Sequence, residues 1–165
     1  MLFRSGVVTF FDPGPGNQEF NLDWHVEAAS IATILMLNEE QAIRLTGAAT
    51  YEAAAIELLN NGSRMVFVKL GGEGSYILGK GEEVKHPGMN VDVLDKTGAG
   101  DAFDAAVIYG YLSEFDPKRI GVLANAVGAA KASKRGTGFN MPTVEEIRSQ
   151  LQEAGEDPNQ FLITN

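Results

Sequence analysis

"VLDKTGAGDAF", residues 93–103, joins a turn with almost no side chains to the start of a helix. The small residues Gly98, Ala99 and Gly100 let backbone N–H groups approach a ligand closely. The first N–H groups of a helix have no partner inside the helix, and the helix dipole adds positive charge there. The stretch therefore predicts an anion site at the start of a helix over residues 99–113.

Asp101 falls just inside that helix rather than ahead of it. A carboxylate there competes with a bound phosphate, but it can accept a proton from a hydroxyl group that attacks the phosphate. Phosphoryl transfer depends on such positioning and on charge stabilisation. The structural alternative is a glycine turn followed by an acid that stabilises the first turn of a helix. Taken alone, the GAGD sequence favours this structural alternative.

Strands and helices alternate on both sides of this junction. Apolar runs predict strands at 7–12, 33–37 and 64–70, and residues 74–88 predict a hairpin that turns at Gly79-Lys80-Gly81. Helices are predicted over 23–32, 39–47, 51–61, 99–113, 117–134 and from Thr143 onward, with end signals at Gly47, Thr50, Asp116-Pro117 and Thr143 with Glu146. The alternation predicts one α/β domain over residues 1–165, with a mostly parallel sheet covered on both faces. Ligands bind such sheets where strands lead into helices, as residues 93–103 do.

Composition narrows the class of protein. The chain has 165 residues and a net charge of −9, which argues against a surface for nucleic acid or anionic membrane. It has no Cys, so disulfides and thiolate metal sites are excluded. No apolar run reaches the length that spans a membrane.

Two other glycine patterns are rejected as phosphate sites. Residues 74–80 fit G-x-x-x-x-G-K, but the interior "SYIL" predicts a strand and no helix follows. Gly98-x-Gly100 begins a dinucleotide fingerprint, but Phe103 replaces its third glycine.

Four other side chains are interpreted structurally. His25 and His86 lack metal-binding spacing and are predicted at the surface or at a sheet edge. Trp24 is predicted in the core, and Asp12, which ends the first strand, is predicted to belong to a turn.

Four stretches resemble the PfkB (ribokinase-like) carbohydrate kinase family, in the family's order and at about its spacing. "DKTGAGDAFDAA" resembles the family signature D-T-x-G-A-G-D-x-F, and the others are "LNEEQAIRLTG" (37–47), "VFVKLGGEGSYI" (66–77) and "ANAVGAAKASKRGTGFNMPT" (124–143). The resemblance covers residues 7–153. It implies a ribokinase-like, Rossmann-type three-layer sandwich with a mostly parallel sheet, of which the N-terminal part and the lid are missing.

The resemblance also implies a role for each matching residue. Asp101 resembles the catalytic base, and Gly98, Ala99 and Gly100 resemble the anion hole for the transferred phosphate. The remaining positions are Lys69, Gly71 and Gly74 at the nucleotide, Asn125 at the adenine pocket, Asn38 in the Mg–phosphate region, and Asp95 and Thr97 with the 136–140 loop, including Asn140, at a monovalent cation.

Three departures from the family pattern stand out. Lys69 and Lys96 occupy positions where the family usually has Thr, and both add charge near the expected phosphates. Gln41 stands where the family usually has Glu, so the affinity for Mg²⁺ is in doubt there. About one further domain of chain, with most sugar contacts and the lid, precedes the matching segment in full-length members.

The resemblance therefore implies the nucleotide-binding half of a cytoplasmic, ATP-dependent sugar kinase with Mg²⁺ and K⁺ as cofactors. The alternative is a non-catalytic module of the same fold that serves nucleotide binding or assembly. A missing half would expose a strand edge and an apolar face around residues 7–12 and 33–37, which predicts a homodimer or a complex with a complementary N-terminal half.

Overall fold

The computed structural model describes residues 6–14, 22–79 and 81–162, and the chain divides into two compact units. The first unit comprises Met1–Gly71 and Ser75–Lys85, and the second comprises Gly72–Gly74 and His86–Asn165. Lys80, the middle residue of the expected hairpin turn, lies outside the described residues.

A five-stranded mixed sheet forms the centre of the first unit. Its strands lie in the order β1 to β5, with bounds Phe10–Phe11, Ile34–Asn38, Met65–Lys69, Ser75–Gly79 and Glu82–His86. β1, β2 and β3 are parallel, and β4 is antiparallel to β3. The register places Asn38 beside Lys69, so the carboxyl ends of β2 and β3 meet at one edge of the sheet.

Three helices accompany this sheet: α1 (Leu22–Ile31), α2 (Glu39–Thr46) and α3 (Tyr51–Asn60). Their small and apolar residues form one core cluster with alternate residues of the strands, including Leu35, Leu37, Val66 and Val68. The expected end signals of two helices are confirmed. Thr50 caps α3 through its side chain, and Gly47 ends α2 with a left-handed φ of 74°.

The first strand is shorter than the sequence predicts, and side-chain bonds accompany the backbone bonds at its start, where the Thr9 carbonyl oxygen accepts from the Thr33 and Ile34 N–H groups. The Thr33 N–H donates to Oγ1 of Thr9 at 2.9 Å, and the Thr9 N–H donates to Oγ1 of Thr33 at 3.1 Å. Regular pairing therefore begins only at Phe10. The exposed apolar face expected at 33–37 is also wrong, since Ile34, Leu35, Met36 and Leu37 are all buried.

Trp24 was expected in the core, and this prediction is wrong: the side chain is 72% exposed. α1 has Ala29 as its buried residue, and a helix with 3.6 residues per turn places Trp24 about 140° away from Ala29. The size of the Trp24 side chain predicts burial, but Trp24 lies on a face of α1 that points away from the core. Among the described residues, no helix combines the length and apolar character that crossing a membrane requires.

The second unit contains α4 (Ala99–Leu112), α5 (Pro117–Ala132) and α6 (Val144–Glu153). α4 and α5 run antiparallel at close range, which explains the small residues. A Cβ atom on Gly110 would lie 3.0 Å from Cγ1 of Ile120, and one on Gly128 would lie 3.4 Å from the Ala99 carbonyl oxygen. The expected capping box of Thr143 and Glu146 is confirmed at the start of α6.

Candidate active site

The N-terminus of α4 begins without a side-chain cap. The first N–H groups of α2, α3, α5 and α6 bond to the side chains of Asn38, Thr50, Asp116 and Thr143. Gly98, the N-cap of α4, has no side chain and leaves this end of the helix without such a bond. An uncapped, positively polarised helix start is suited to an anion, as the GAG sequence predicts.

Gly98 is required here by both its backbone and its surroundings. Its φ of 79° is left-handed, a conformation that other residues rarely adopt. A Cβ atom would also lie 3.2 Å from Cγ2 of Thr137 and 3.5 Å from Cε of Lys131. The 136–140 loop and the end of α5 therefore support the GAG turn from within the second unit.

Asp101 lies in the first turn of α4 and is exposed, whereas the next three residues are buried. Its carboxylate is therefore accessible to a reacting hydroxyl beside the uncapped helix start. This arrangement is compatible with the role of general base, which stays a prediction.

Asp95 ties the loop before the GAG turn to the loop after α5. Its Oδ1 accepts a hydrogen bond from the Thr97 N–H at 2.9 Å, and its Oδ2 accepts one from the Gly136 N–H at 2.8 Å. Bonds from the Thr97 backbone and side chain, then from the Gly136 backbone, lower the pKa of Asp95 to about 2. Three of the residues predicted around a monovalent cation are thus brought together, while the cation itself stays a prediction.

This depressed pKa predicts how stability depends on pH. The pKa of Asp95 falls from 3.8 to about 2 on folding, so its contribution is present above about pH 4 and is lost as the pH falls towards 2. We expect the wild-type chain to lose more unfolding free energy than Asp95→Asn over this interval, measured by urea titration at each pH. Equal losses in the two proteins would contradict the assignment.

Asn125 lines a cleft of about 390 Å³ in the second unit, together with His86. The loop that follows β5, the α5 residues Val122 and Asn125, and the end of α6 enclose it. Gly128, one turn after Asn125, packs on the carbonyl of Ala99, so this part of α5 lies close to the GAG turn. Asn125 thus lines a cleft near the GAG turn, and its place in a nucleotide pocket stays a prediction.

His86 was expected at the surface or at a sheet edge. It is the last residue of edge strand β5, yet it is only 7% exposed, because the cleft closes around it. Burial, followed by the nearby Lys118 charge, lowers its pKa, although a hydrogen bond with the Lys118 backbone and the Glu156 charge oppose the shift. No pattern in the sequence around His86 predicts this burial.

Asn125 and His86 also present unsatisfied polar atoms. Nδ2 of Asn125 and Nε2 of His86 are buried and have no hydrogen-bond partner among the residues that the structure describes. Nδ2 is a donor, and Nε2 of a neutral imidazole can accept. Both atoms are covered by protein rather than exposed to the cleft.

Of the two glycines predicted at the nucleotide, only Gly74 is required by close backbone packing. A Cβ atom on Gly74 would lie 2.1 Å from the His86 carbonyl oxygen and 2.5 Å from the Pro87 carbonyl carbon, and its φ is 99°. Gly71, with a φ of 61°, opens a short 3-10 turn and has no atom within 4 Å of that position. The close contact explains Gly74, while a nucleotide contact of either glycine stays a prediction.

In the first unit, Asn38 and Gln41 form a reciprocal capping box at the start of α2. Oδ1 of Asn38 accepts from the Gln41 N–H at 2.8 Å, and Oε1 of Gln41 accepts from the Asn38 N–H at 2.6 Å. The Gln41 amide also donates to the Gly14 carbonyl and to Oδ1 of Asp12. Gln41 thus completes the cap of α2, and its side-chain oxygen already accepts a backbone hydrogen bond.

Lys69 forms an ion pair with Asp12 at the same edge of the sheet, with Nζ and Oδ2 2.7 Å apart. The extra charge of Lys69, relative to the usual Thr, is therefore balanced within the first unit. The expected turn at Asp12 is confirmed, since its Oδ1 accepts from the Gly14 N–H at 2.7 Å. The sequence analysis did not predict this ion pair. The feature that could have indicated it is Lys69 itself, which stands where the family usually has Thr and therefore needs a partner for its charge.

We expect this ion pair to stabilise the chain by about 1–2 kcal/mol, because both side chains are largely buried. A double-mutant cycle with Asp12→Asn and Lys69→Met, followed by urea unfolding, measures the coupling. The more exposed pair of Lys134 and Glu146, at 2.8 Å, is the control and should couple by less than about 1 kcal/mol. Equal coupling in both cycles would contradict the prediction.

Comparison with known proteins gives one family. The model of the pfkB family carbohydrate kinases matches residues 10–144. An uncharacterized sugar kinase from Archaeoglobus fulgidus is 36% identical over 132 residues, which cover 80% of this chain and 52% of that protein. An ATP-dependent ribose-1-phosphate kinase from Halopiger xanaduensis is 33% identical over 153 residues, covering 91% of this chain and 48% of that protein.

Solved structures show the same fold. The apo form of a putative ribokinase II from E. coli superposes with a TM-score of 0.82 at 29% identity, covering 89% of this chain and 49% of that chain. Its complex with ATP and Mg²⁺ gives a TM-score of 0.74 at 30% identity, covering 79% and 42%. The chain thus spans about half the length of the relatives that it matches. The family match and the structural likeness agree with the uncapped GAG turn and the exposed Asp101. The chain therefore belongs to the pfkB family of carbohydrate kinases and has the ribokinase-like α/β fold.

Proposed function

We propose that this chain supplies the nucleotide-binding and catalytic half of an ATP-dependent sugar kinase. In this reaction a sugar hydroxyl attacks the γ-phosphorus of ATP, the bond to the β-phosphate oxygen breaks, and ADP leaves. The single observation that carries the proposal is the start of α4, where an uncapped helix end adjoins an exposed carboxylate. Asp101 accepts the hydroxyl proton, and the backbone N–H groups of Gly98 and Gly100 stabilise the transferred phosphoryl charge. The Ala99 N–H, which the resemblance also placed in the anion hole, donates to the Lys96 carbonyl oxygen at 3.1 Å.

The cleft at Asn125 is the proposed pocket for the adenine base. Asn125 and His86 line it, and it lies near the GAG turn in the same unit. One relative with this fold is described in complex with ATP and Mg²⁺. Asn38, Lys69, Gly71 and Gly74 remain proposed nucleotide residues on the family resemblance.

Mg²⁺ would enter together with the nucleotide. Among the described residues, no group of three or more His, Cys, Asp or Glu side chains could hold a metal ion. This fits Mg²⁺, which keeps several waters and binds largely through substrate phosphates rather than in a protein cage. The ion would neutralise phosphate charge, and the Asn38–Gln41 loop is the proposed neighbouring protein region.

The chain's partner is proposed to be a complementary N-terminal half or a second copy. β1 forms one edge of the sheet with only two paired residues, and Val7, Leu22, Trp24 and Val26 are exposed nearby in sequence. A homodimer or a heteromeric complex should be visible by light scattering. The proposed location is the cytoplasm, where ATP is available.

Nucleotide binding tests the proposal directly. Gly100→Asp adds a charge at the uncapped helix start, where an acid is tolerated by the fold but repels phosphate. We expect weak Mg-ADP binding by the wild-type chain in titration calorimetry, and about tenfold or more weaker binding by Gly100→Asp. Leu112→Asp, which adds the same charge at the exposed far end of α4, is the control and should bind normally. No heat and no thermal shift with millimolar Mg-ADP would refute the proposal.

The non-catalytic alternative has no specific observation in its favour among the described residues. Gln41, which suggested it, preserves the α2 capping box, and Asp101 remains exposed at the GAG turn. The kinase is therefore the function that the geometry supports best.

A further inference from the structure

Lys131, in the last turn of α5, is completely buried. Lys is almost never fully buried unless its charge is compensated. Within the described part of the chain, its ammonium group has one hydrogen bond, to the Lys134 carbonyl oxygen at 3.3 Å. The carboxyl end of the α5 dipole also favours a positive charge there. A buried cation in this position calls for a function.

The Lys131 ammonium lies close to the GAG turn. Its Cε is 3.5 Å from the position that a Cβ atom on Gly98 would occupy. The following residue, Ala132, accepts backbone hydrogen bonds from Leu94 and Asp95 through its carbonyl. The Lys131 charge also contributes to the low pKa of Asp95, after the larger contributions of Thr97 and Gly136. The ammonium therefore sits beside the Asp95 loop, beneath the predicted anion hole.

This is where the family resemblance predicts a monovalent cation, and the residues present do not fit a second one. Each carboxylate oxygen of Asp95 already accepts a backbone N–H, and the Asn140 amide donates to the Arg135 carbonyl. A fixed ammonium in a dry environment also repels another cation at short range. These bonds hold the Asp95 carboxylate and the Asn140 side chain in the loop, and the electrostatic repulsion argues against K⁺ at this position.

We propose that the Lys131 ammonium is a built-in replacement for the monovalent cation, so that the loop at Asp95 and the GAG turn are stabilised without K⁺. Its positive charge is covalently attached and cannot be lost at low salt. The structural part of this proposal does not depend on ATP chemistry. Its catalytic consequence, a kinase that does not require K⁺, rests on the proposed function.

The wild-type chain provides the first test. Its thermal unfolding is measured in potassium chloride and in tetramethylammonium chloride at equal ionic strength, because tetramethylammonium is too large for a buried site. We expect the same Tm in both salts. A Tm that rises specifically in K⁺ would show that a cation site is still open and would overturn the proposal.

Lys131→Ala provides the second test, because it removes the charge and leaves space for a small cation. In tetramethylammonium chloride we expect the Tm to fall by about 5 °C, with about half of this loss regained in potassium or ammonium chloride. Lys134→Met, which removes a neighbouring charge that pairs with Glu146, is the control and should show no such recovery. Failure of K⁺ and ammonium to restore Lys131→Ala would overturn the proposal. If this variant does not fold, the wild-type measurement decides.

These measurements contain no nucleotide, so they separate the two ideas. A chain that unfolds at the same temperature in both salts but binds no Mg-ADP would retain the built-in cation and lose the proposed kinase function. A chain that binds Mg-ADP and is stabilised specifically by K⁺ would retain the kinase function and lose the built-in cation.

Discussion

Replacing Asp101 by Asn should lower the rate of sugar phosphorylation by about 10²–10⁴-fold in a protein that joins this chain to the N-terminal half of the family fold. A sugar hydroxyl is a poor nucleophile until its proton has an acceptor. Asp101 is exposed in the first turn of α4, beside the uncapped N–H groups where the phosphate is expected. An amide keeps the shape of the side chain but cannot accept the proton in the same way.

The measurement is coupled ADP release with a panel of sugars, for the chain alone, the joined protein and its Asp101→Asn variant. Mg-ADP affinity should survive in the variant, because the uncapped helix start and the backbone N–H groups of Gly98 and Gly100 remain. Glu145→Gln, which changes an exposed acid in the first turn of α6, is the control and should retain its rate. The chain alone should show little turnover, because it spans only about half the length of the relatives that it matches.

Two outcomes would contradict this account in different ways. Full activity of Asp101→Asn would show that another group accepts the proton. Fast turnover by the isolated chain would show that the missing half is not needed for catalysis.

Gly74→Ala should destabilise the chain by roughly 3–5 kcal/mol. The new methyl carbon would lie 2.1 Å from the His86 carbonyl oxygen and 2.5 Å from the Pro87 carbonyl carbon. These are backbone atoms, which cannot rotate away as a flexible side chain would. The φ of 99° adds a conformational penalty for any residue with a Cβ atom.

Two neighbouring glycines separate these causes when urea unfolding is measured for each variant. Gly71→Ala has a positive φ of 61° but no atom near the new methyl group, so it should lose about 1–2 kcal/mol. Gly72→Ala has neither feature and should change stability by less than about 1 kcal/mol. If Gly74→Ala is no less stable than Gly71→Ala, the backbone contact with His86 does not restrict this position.

The sequence by itself determined the local elements of the second unit and the start of its site. Asp116-Pro117 and Thr143 with Glu146 specify where α5 and α6 begin, and the structure confirms both. The GAG turn was predictable in the same way, because a left-handed residue followed by an uncapped helix is encoded within a few consecutive positions. Such features depend on hydrogen bonds between residues three or four apart, which a sequence pattern displays directly.

The tertiary structure alone decided which distant side chains meet. Asp12 and Lys69 are 57 positions apart and pair because both lie at the carboxyl ends of parallel strands. Asp95 reaches Gly136 across 41 positions because the Asp95 loop bonds to the end of α5. The family resemblance placed Asp95 and the 136–140 loop at one site, but the pattern of residues along the chain predicted neither the hydrogen bond to Gly136 nor the ion pair of Asp12 with Lys69.

Burial was likewise decided by packing rather than by residue type. Trp24 is large and apolar yet exposed, whereas Lys131 is charged and completely buried. The face of α1 that holds Ala29 meets the core, and the last turn of α5 meets the GAG turn. A side chain's hydrophobicity sets the free energy of burying it, but the direction in which its helix faces determines whether that burial occurs.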